Sequence, residues 1–166
     1  MKIAVVAGTF DRLHIAHLMM LWTAFKLGDH IIVGLMKDES LKGKIYRELM
    51  YDYKSRCERL KKLLNNWVKT IMKGKTYEIV PIAGPYDVIT EVENIDYLVV
   101  SEETLPRAIA INAIRRNRGL KEVKLVVIPI IRAADLRPLA SHRIRVGEVD
   151  HLGNSKLRGD NIGDSK

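Results

Sequence analysis

One cysteine, Cys57, stands in a chain of 166 residues, so no intrachain disulfide can form and the sequence reads as one kept in a reducing cytoplasm. Cys57 itself falls on the face of an expected helix and reads as a packing residue. No apolar run approaches the roughly 18 residues that a membrane span needs, so no membrane partner is expected. The opening residues carry one lysine and then a strand-like run, without a small-residue cleavage pattern before Gly8, which argues against a secretory signal. Aromatic residues make up only 6% of the chain, too few for an obvious base-stacking platform. No internal repeat is present. Cysteine- and histidine-rich metal motifs are missing as well: apart from His14 and His17, only His30, His142 and His151 remain, none paired at short range. No protein-held metal is expected.

Charge of one sign is abundant instead. The formal net charge is +8 and the isoelectric point is near 9.6, which brings two kinds of polyanion into view, nucleic acid and small phosphorylated molecules. The basic residues are spread over Lys61 and Lys62, Lys69 to Lys75, Arg115 to Arg118 and Arg143 to Arg145, with no basic tail. That distribution favours solvated helix faces plus a phosphate site, and excludes nucleic acid as the expected partner. High charge with few Asn and Gln also hints at a heat-tolerant source. Hydrophobic residues at 47% and charged residues at 29% fit one globular domain, expected over 1–150, with a polar, frayed tail over 151–166. The oligomeric state leaves no trace in the sequence.

The chain opens on Ile3 to Ala7, a β-branched run, followed by Gly8-Thr9-Phe10-Asp11-Arg12-Leu13-His14-Ile15-Ala16-His17. This is strand, glycine turn, helix, the way a parallel α/β sheet begins. Unpaired N–H groups at the turn and helix start favour phosphate, and two histidines three apart share a helix face. Taken alone, the H-x-x-H spacing also fits packing or solvent-facing histidines. A helix over Ile15 to Leu27 with a Gly28 C-cap leads to a second strand, His30 to Leu35. Lys42 and Lys44 lie in the polar segment beyond that strand's carboxyl end, on the histidine side of the sheet. Helical periodicity runs from Tyr53 to Ile71, and Tyr77 to Pro81 reads as a third strand. Gly84-Pro85-Tyr86 reads as a turn before a modest helix toward Asn94. Asp96 to Val100 is the fourth strand, and Ser101-Glu102-Glu103-Thr104 reads as the N-cap of a helix ending near Asn117. Asn112, Arg115 and Arg116 share a face of that helix, suited to polyphosphate and to solvent alike. Lys124 to Pro129 is the fifth strand, and Ser141 reads as the N-cap of a last helix, a second phosphate-binding end. The expected fold is α/β, a Rossmann-like doubly wound five-stranded parallel sheet with helices on both faces.

The string G-T-F-D-R-L-H-I-A-H resembles the T/H-x-G-H signature of a nucleotidyltransferase superfamily. Leu41-Lys42-Gly43-Lys44, Gly84-Pro85-Tyr86, Val99-Val100-Ser101-Glu102-Glu103-Thr104 and Ala110-Ile111-Asn112 with Arg115 resemble the archaeal and eukaryotic branch of phosphopantetheine adenylyltransferase. The likeness covers residues 2 to about 150. It implies transfer of AMP from ATP to 4′-phosphopantetheine, giving dephospho-CoA and pyrophosphate in coenzyme A synthesis, without a covalent enzyme intermediate and with Mg²⁺ bridging the phosphates. Thr9 would position the acceptor phosphate, with Asp11 beside it and Lys42 or Lys44 helping. His17 would donate to the α-phosphate, with His14 on the triphosphate side. Ser141 would hold the β- and γ-phosphates. Gly8, Thr9, Phe10, Ser101, Glu102, Asn112, Arg115, His142 and Arg143 complete the implied ATP site. The chain departs from the pattern at Ala16, which replaces a glycine, at Ser101-Glu102, where bacterial members carry Arg-Gly, and at Ala140 and His142, which replace hydroxyl residues. The Ser101-Glu102 departure leaves the phosphate clamp to Arg115 or Arg143. Other implied readings are a different phosphorylated acceptor, or a nucleotide- or CoA-binding homologue that has lost catalysis.

Overall fold

The computed structural model describes residues 1–84, 87, 89, 90 and 92–156. Five strands, β1 (Ile3–Gly8), β2 (His30–Met36), β3 (Thr76–Ile82), β4 (Tyr97–Ser101) and β5 (Lys124–Ile128), form one parallel sheet in the order β3-β2-β1-β4-β5. Four helices accompany them: α1 (Ile15–Leu27), α2 (Tyr53–Thr70), α3 (Leu105–Asn117) and the short α4 (Ser141–Arg145). The expected sheet and its element order are therefore present, with strand ends displaced by a residue or so. The pairing runs from Ile3 opposite His30 to Gly8 opposite Leu35, and β1 also pairs with β4 at Ala4–Tyr97 and Val5–Leu98.

Alternation along β1 splits the core in two, because successive side chains of a strand point to opposite faces. Ala4 and Val6 join Ile31, Val33 and Val99 beneath Leu21, Ala24 and Phe25 of α1 and Leu60 and Leu64 of α2. Val5, Ile32, Leu98 and Val100 pack the other way, against Ala108 and Ile111 of α3 and against Ile89 and Ile95. Helices thus cover both faces, as buried parallel strands require. Gly28 ends α1 as expected, and its lack of a side chain has a packing reason: a Cβ there would lie 2.8 Å from the Ala4 Cβ. The modest helix expected toward Asn94 falls partly on residues 86, 88 and 91, and the turn on 85 and 86; these lie outside the described residues.

A third, small cluster of Ala133, Leu139, Ile144 and Val149 receives Ile15 from α1, so the segment after β5 folds back over the start of α1. This corrects the expected tail. Residues 151–156 belong to the folded unit: Ser155 bridges to Val149, Asp150 accepts from the Asn154 backbone at 2.8 Å, and the His151 carbonyl accepts from Ile15 N at 3.0 Å. Residues 157–166 lie outside the described residues. Among the described residues no helix is long and apolar enough to cross a membrane.

Candidate active site

The strand order turns at β1, which sends one connection out through β2 and β3 and the other through β4 and β5. A parallel sheet opens a crevice where the order reverses, at the strands' carboxyl ends. A cavity of about 420 Å³ occupies that place, lined by Thr9, Asp11, His14 and His17 from the β1–α1 connection. Its other walls come from Lys44 and Ile45 beyond β2, Ser101 and Glu103 beyond β4, and Ser141, His142 and Arg145 of α4. The turn that feeds it is tight. Phe10 takes a left-handed backbone conformation, φ 48°, a costly one for a bulky residue, and its ring is fully buried. A Cβ on Gly8 would press to 3.2 Å from that ring. Phe10 then lies 5.2 Å from the His17 ring and supports it from below.

His14 and His17 stack with ring centroids 3.8 Å apart and planes 21° apart. Nδ1 of each is buried without a hydrogen bond among the described residues. Burial pushes the His14 pKa down to about 3, with His17 and His151 adding to the effect. Burial likewise takes His17 down to about 4, opposed by the nearby Arg12 backbone. Both imidazoles are therefore neutral at pH 7, so each presents one N–H and one lone pair, and the pair costs no mutual charge repulsion. Both residues line the cavity, with the two Nδ1 atoms turned into the protein.

The remaining residues singled out by the sequence divide sharply. Thr9, Asp11, His14, His17, Lys44, Ser101, Ser141 and His142 come together around the cavity. Gly8 and Phe10 do not line it; they build the turn beneath it. Lys42 is exposed and outside the lining, which leaves Lys44 as the lysine of that segment at the site. Glu102 turns away to accept from Ile130 N at 3.1 Å, and its neighbour Glu103 takes the place in the wall. Asn112 is spent on the backbone of Val123, donating to its carbonyl and accepting from its N–H, both at 2.9 Å. Arg115 is fully buried and donates to the carbonyls of Lys121, Ile89, Val92 and Glu93. Arg143 is held by Asp135, by Glu148 at 2.9 Å and by the Pro138 carbonyl at 3.0 Å. These three side chains brace loops, so neither arginine proposed for a phosphate clamp faces the cavity. Ser141 is the first residue of α4, not its cap. Ala140 occupies the cap without a side-chain bond, and the Ser141 hydroxyl donates to the Arg12 carbonyl at 3.2 Å. Asp11, expected beside the acceptor, is buried with both oxygens engaged, one by Tyr51 N and one by Arg145, each at 2.8 Å.

Two residues that sequence reasoning passed over organise the site. Arg145 lines the cavity with its side chain only 5% exposed, and its Nε is buried without a partner. The signal was present: Arg143, Ile144 and Arg145 alternate, and the apolar residue between two arginines on a short helix sends them to different sides. Arg56 of α2 is fully buried and reaches the Thr9 carbonyl at 2.8 Å, the Met36 carbonyl at 2.9 Å and Asp38 at 2.8 Å, fixing the ends of β1 and β2 together. Nothing in its spacing along an otherwise ordinary amphipathic helix marks it. Among the described residues no group of three His, Cys, Asp or Glu side chains is arranged to hold a metal ion.

A 3-2-1-4-5 parallel sheet whose switch-point cavity holds paired neutral histidines and inward-facing cations is a nucleotidyl-transfer domain, and the family model described as cytidylyltransferase-like matches residues 5–147. Over 153 residues the chain is 38% identical to the phosphopantetheine adenylyltransferase of Pyrococcus furiosus, covering 92% of each chain. It is 35% identical over 160 residues to the phosphopantetheine adenylyltransferase of Methanothermobacter thermautotrophicus, covering 95% of this chain and 93% of that one. A solved structure of a protein of unknown function from Archaeoglobus fulgidus superposes with a TM-score of 0.64 at 32% identity, over 77% of this chain and 89% of that one. The chain belongs to the cytidylyltransferase-like family and, within it, to the phosphopantetheine adenylyltransferases.

Proposed function

We propose that this protein transfers AMP from ATP to 4′-phosphopantetheine, forming dephospho-CoA and releasing pyrophosphate, in the cytoplasm. The observation that carries the reading is the pair of stacked, neutral histidines that line the switch-point cavity. The acceptor phosphate is already a nucleophile. One of its oxygens attacks the α-phosphorus of ATP in line, a new P–O bond forms, and the bond from the α-phosphorus to the bridging oxygen breaks as pyrophosphate departs with that electron pair. No proton need be removed from the acceptor, so the protein's contribution is placement and neutralisation of charge. His17 donates an N–H to the α-phosphate oxygens, where negative charge builds, and a preorganised donor of this kind is most effective in a water-poor site. His14 stands beside it toward the leaving group. Thr9 and Lys44 hold the acceptor phosphate, and Arg145 with His142 takes the polyphosphate. Mg²⁺ would come on the phosphates of ATP as part of the substrate; among the described residues no group of three His, Cys, Asp or Glu is arranged to hold it. When bound, it neutralises the leaving pyrophosphate.

A panel pairing ATP or CTP with 4′-phosphopantetheine, NMN, FMN or glycerol 3-phosphate, read by pyrophosphate release, tests the assignment. The expected result is acceptor-dependent release with ATP and 4′-phosphopantetheine alone. Release with another pair, or tight ATP binding without turnover on any acceptor, overturns it.

A further inference from the structure

The stretch 45–51, which follows Lys44, is held over the cavity largely by its backbone. Arg145 Nη2 donates to the Ile45 carbonyl at 2.7 Å, and Arg12 Nη2 donates to the Leu49 carbonyl at 2.9 Å. Arg56 Nε donates to the Tyr51 carbonyl at 3.1 Å, while Asp11 accepts from Tyr51 N at 2.8 Å. The Tyr51 ring lies 3.6 Å from the Arg12 guanidinium carbon. Three arginines therefore converge on one loop; Asp38 pairs with Arg56 at 2.8 Å, and Asp11 stands between the other two. It bonds Arg145 at 2.8 Å and lies 3.9 Å from Arg12.

A carboxylate in a phosphate-binding cavity calls for explanation, since it repels the anions the cavity receives. The Asp11 side chain is fully buried, and each of its oxygens already accepts from a protein donor, Tyr51 N and Arg145 Nη1. Its energetic partner is Arg145. A buried ion pair is maintained when each charge has other hydrogen bonds to make, and removing one member strands the other. Arg145 meets that condition with Nη1 on Asp11 and Nη2 on Ile45, which leaves Nε as the atom without a partner.

We propose that Asp11 is a positioning residue, a latch that acts through Arg145 to hold the 45–51 loop and so sets Lys44 across the cavity from the histidine pair. The inference rests on the adenylyl-transfer reading for its kinetic consequence and on the hydrogen-bond geometry alone for its structural one. The guanidinium groups read the loop's carbonyls, and two loop side chains add to the hold, Tyr51 against Arg12 and Arg59, and Arg47 on Asp38 at 3.5 Å. Arg145 is the joint between the two halves of the site: its Nη2 holds the loop that follows Lys44, and the residue itself lines the cavity that takes the polyphosphate. Acceptor and nucleotide subsites are in this way set by the same carboxylate, which touches neither.

Asp11→Asn tests the latch, because it keeps the acceptor for Tyr51 N and removes the charge on Arg145. Amide hydrogen exchange of the full chain without substrates is expected to accelerate about tenfold or more at residues 45–51, local opening being governed by the ties that are lost. KM for 4′-phosphopantetheine is expected to rise about tenfold, whereas KM for ATP and the affinity for inorganic tripolyphosphate change less than about threefold, since Arg145 keeps its own charge and loses only the Nη1 tie to Asp11 that orients it. Arg145→Gln is the second variant. It loosens the same amides, and the double variant is no looser than Arg145→Gln alone, the non-additivity expected of contacting residues. Unchanged exchange at 45–51 in both variants overturns the latch. So does a fall in tripolyphosphate affinity that matches the loss in acceptor KM, which would make Asp11 a determinant of the anion site itself. Faster exchange without any turnover in the wild-type chain leaves the latch standing and overturns the adenylyl-transfer reading.

Discussion

His14 and His17 show how burial changes the meaning of a residue type. On the page of the sequence they are two ionisable rings on one face of a helix, equally suited to packing, metal or phosphate. In the fold their rings stack and lose water, so they are neutral. Their folded-state pKa values, about 3 and about 4, lie below the unfolded value near 6.5. The unfolded chain therefore binds more protons than the native one between those limits, and stability rises with pH across that window and is lost as pH falls through it. Denaturant unfolding at pH 7 and pH 5, where carboxylates remain ionised, is expected to show a loss of about 2 kcal/mol or more on acidification, at up to about 1.4 kcal/mol per pH unit for each ring. The His14→Gln, His17→Gln double variant should flatten that difference. An equal slope in both proteins would show that the rings titrate normally in the fold. The histidines were legible from spacing and resemblance; their charge state was not, because it depends on Phe10 and His151, one hidden in a strained turn and the other 134 residues further along the chain than His17.

At the scale of elements, periodicity served well wherever a face meets the core. The apolar run of β1 and the helical periodicity of α2 predicted burial, which the packing has at Ala4, Val5, Val6, Leu60 and Leu64, while Ile71 at the end of α2 is exposed. Polar faces were harder. Asn112 and Arg115 do share a side of α3, but spacing says nothing about what a polar side meets, and here it meets loop backbone. Arg115 ties the end of α3 to four carbonyls of two connecting segments, and burying those carbonyls without donors is costly. Arg115→Met is expected to lower stability by about 3 kcal/mol or more by stranding them, while KM for both substrates at 25 °C stays within about twofold, as expected for a residue outside the site. Thermal or denaturant melts and steady-state kinetics check the two parts. A large KM effect with unchanged stability would return Arg115 to the polyphosphate site. The same blindness hid Arg56 and Arg145 and promoted Arg143, since two of these differ only in which way a five-residue helix turns them.

For the molecule as a whole, five parallel strands with helices on both faces place the mouth of β1 at the switch point, and the five strands followed from the order of apolar runs. What the sequence could not convey is closure. Residues 150–156 return to the start of α1, where the His151 carbonyl takes the Ile15 N–H and the His151 ring nitrogen bonds the Leu13 carbonyl at 2.6 Å. A polar, glycine-containing stretch read in isolation is indistinguishable from a frayed end. The cavity is built from the connections after β1, β2, β4 and β5 and from α4, which is why its lining was only half recoverable from local motifs. The central claim is that this cavity joins AMP to a phosphorylated acceptor with His17 donating to the transferred phosphate. Mass-resolved dephospho-CoA and pyrophosphate, measured together from ATP, Mg²⁺ and 4′-phosphopantetheine with wild type and a folded His17→Ala variant, test it most directly. The account predicts stoichiometric formation of both products by wild type and a barrier higher by about 2–4 kcal/mol in the variant, the scale of one preorganised donor. Absence of product from wild type, or turnover by the variant within about threefold of wild type, well short of the loss expected for such a donor, would contradict it.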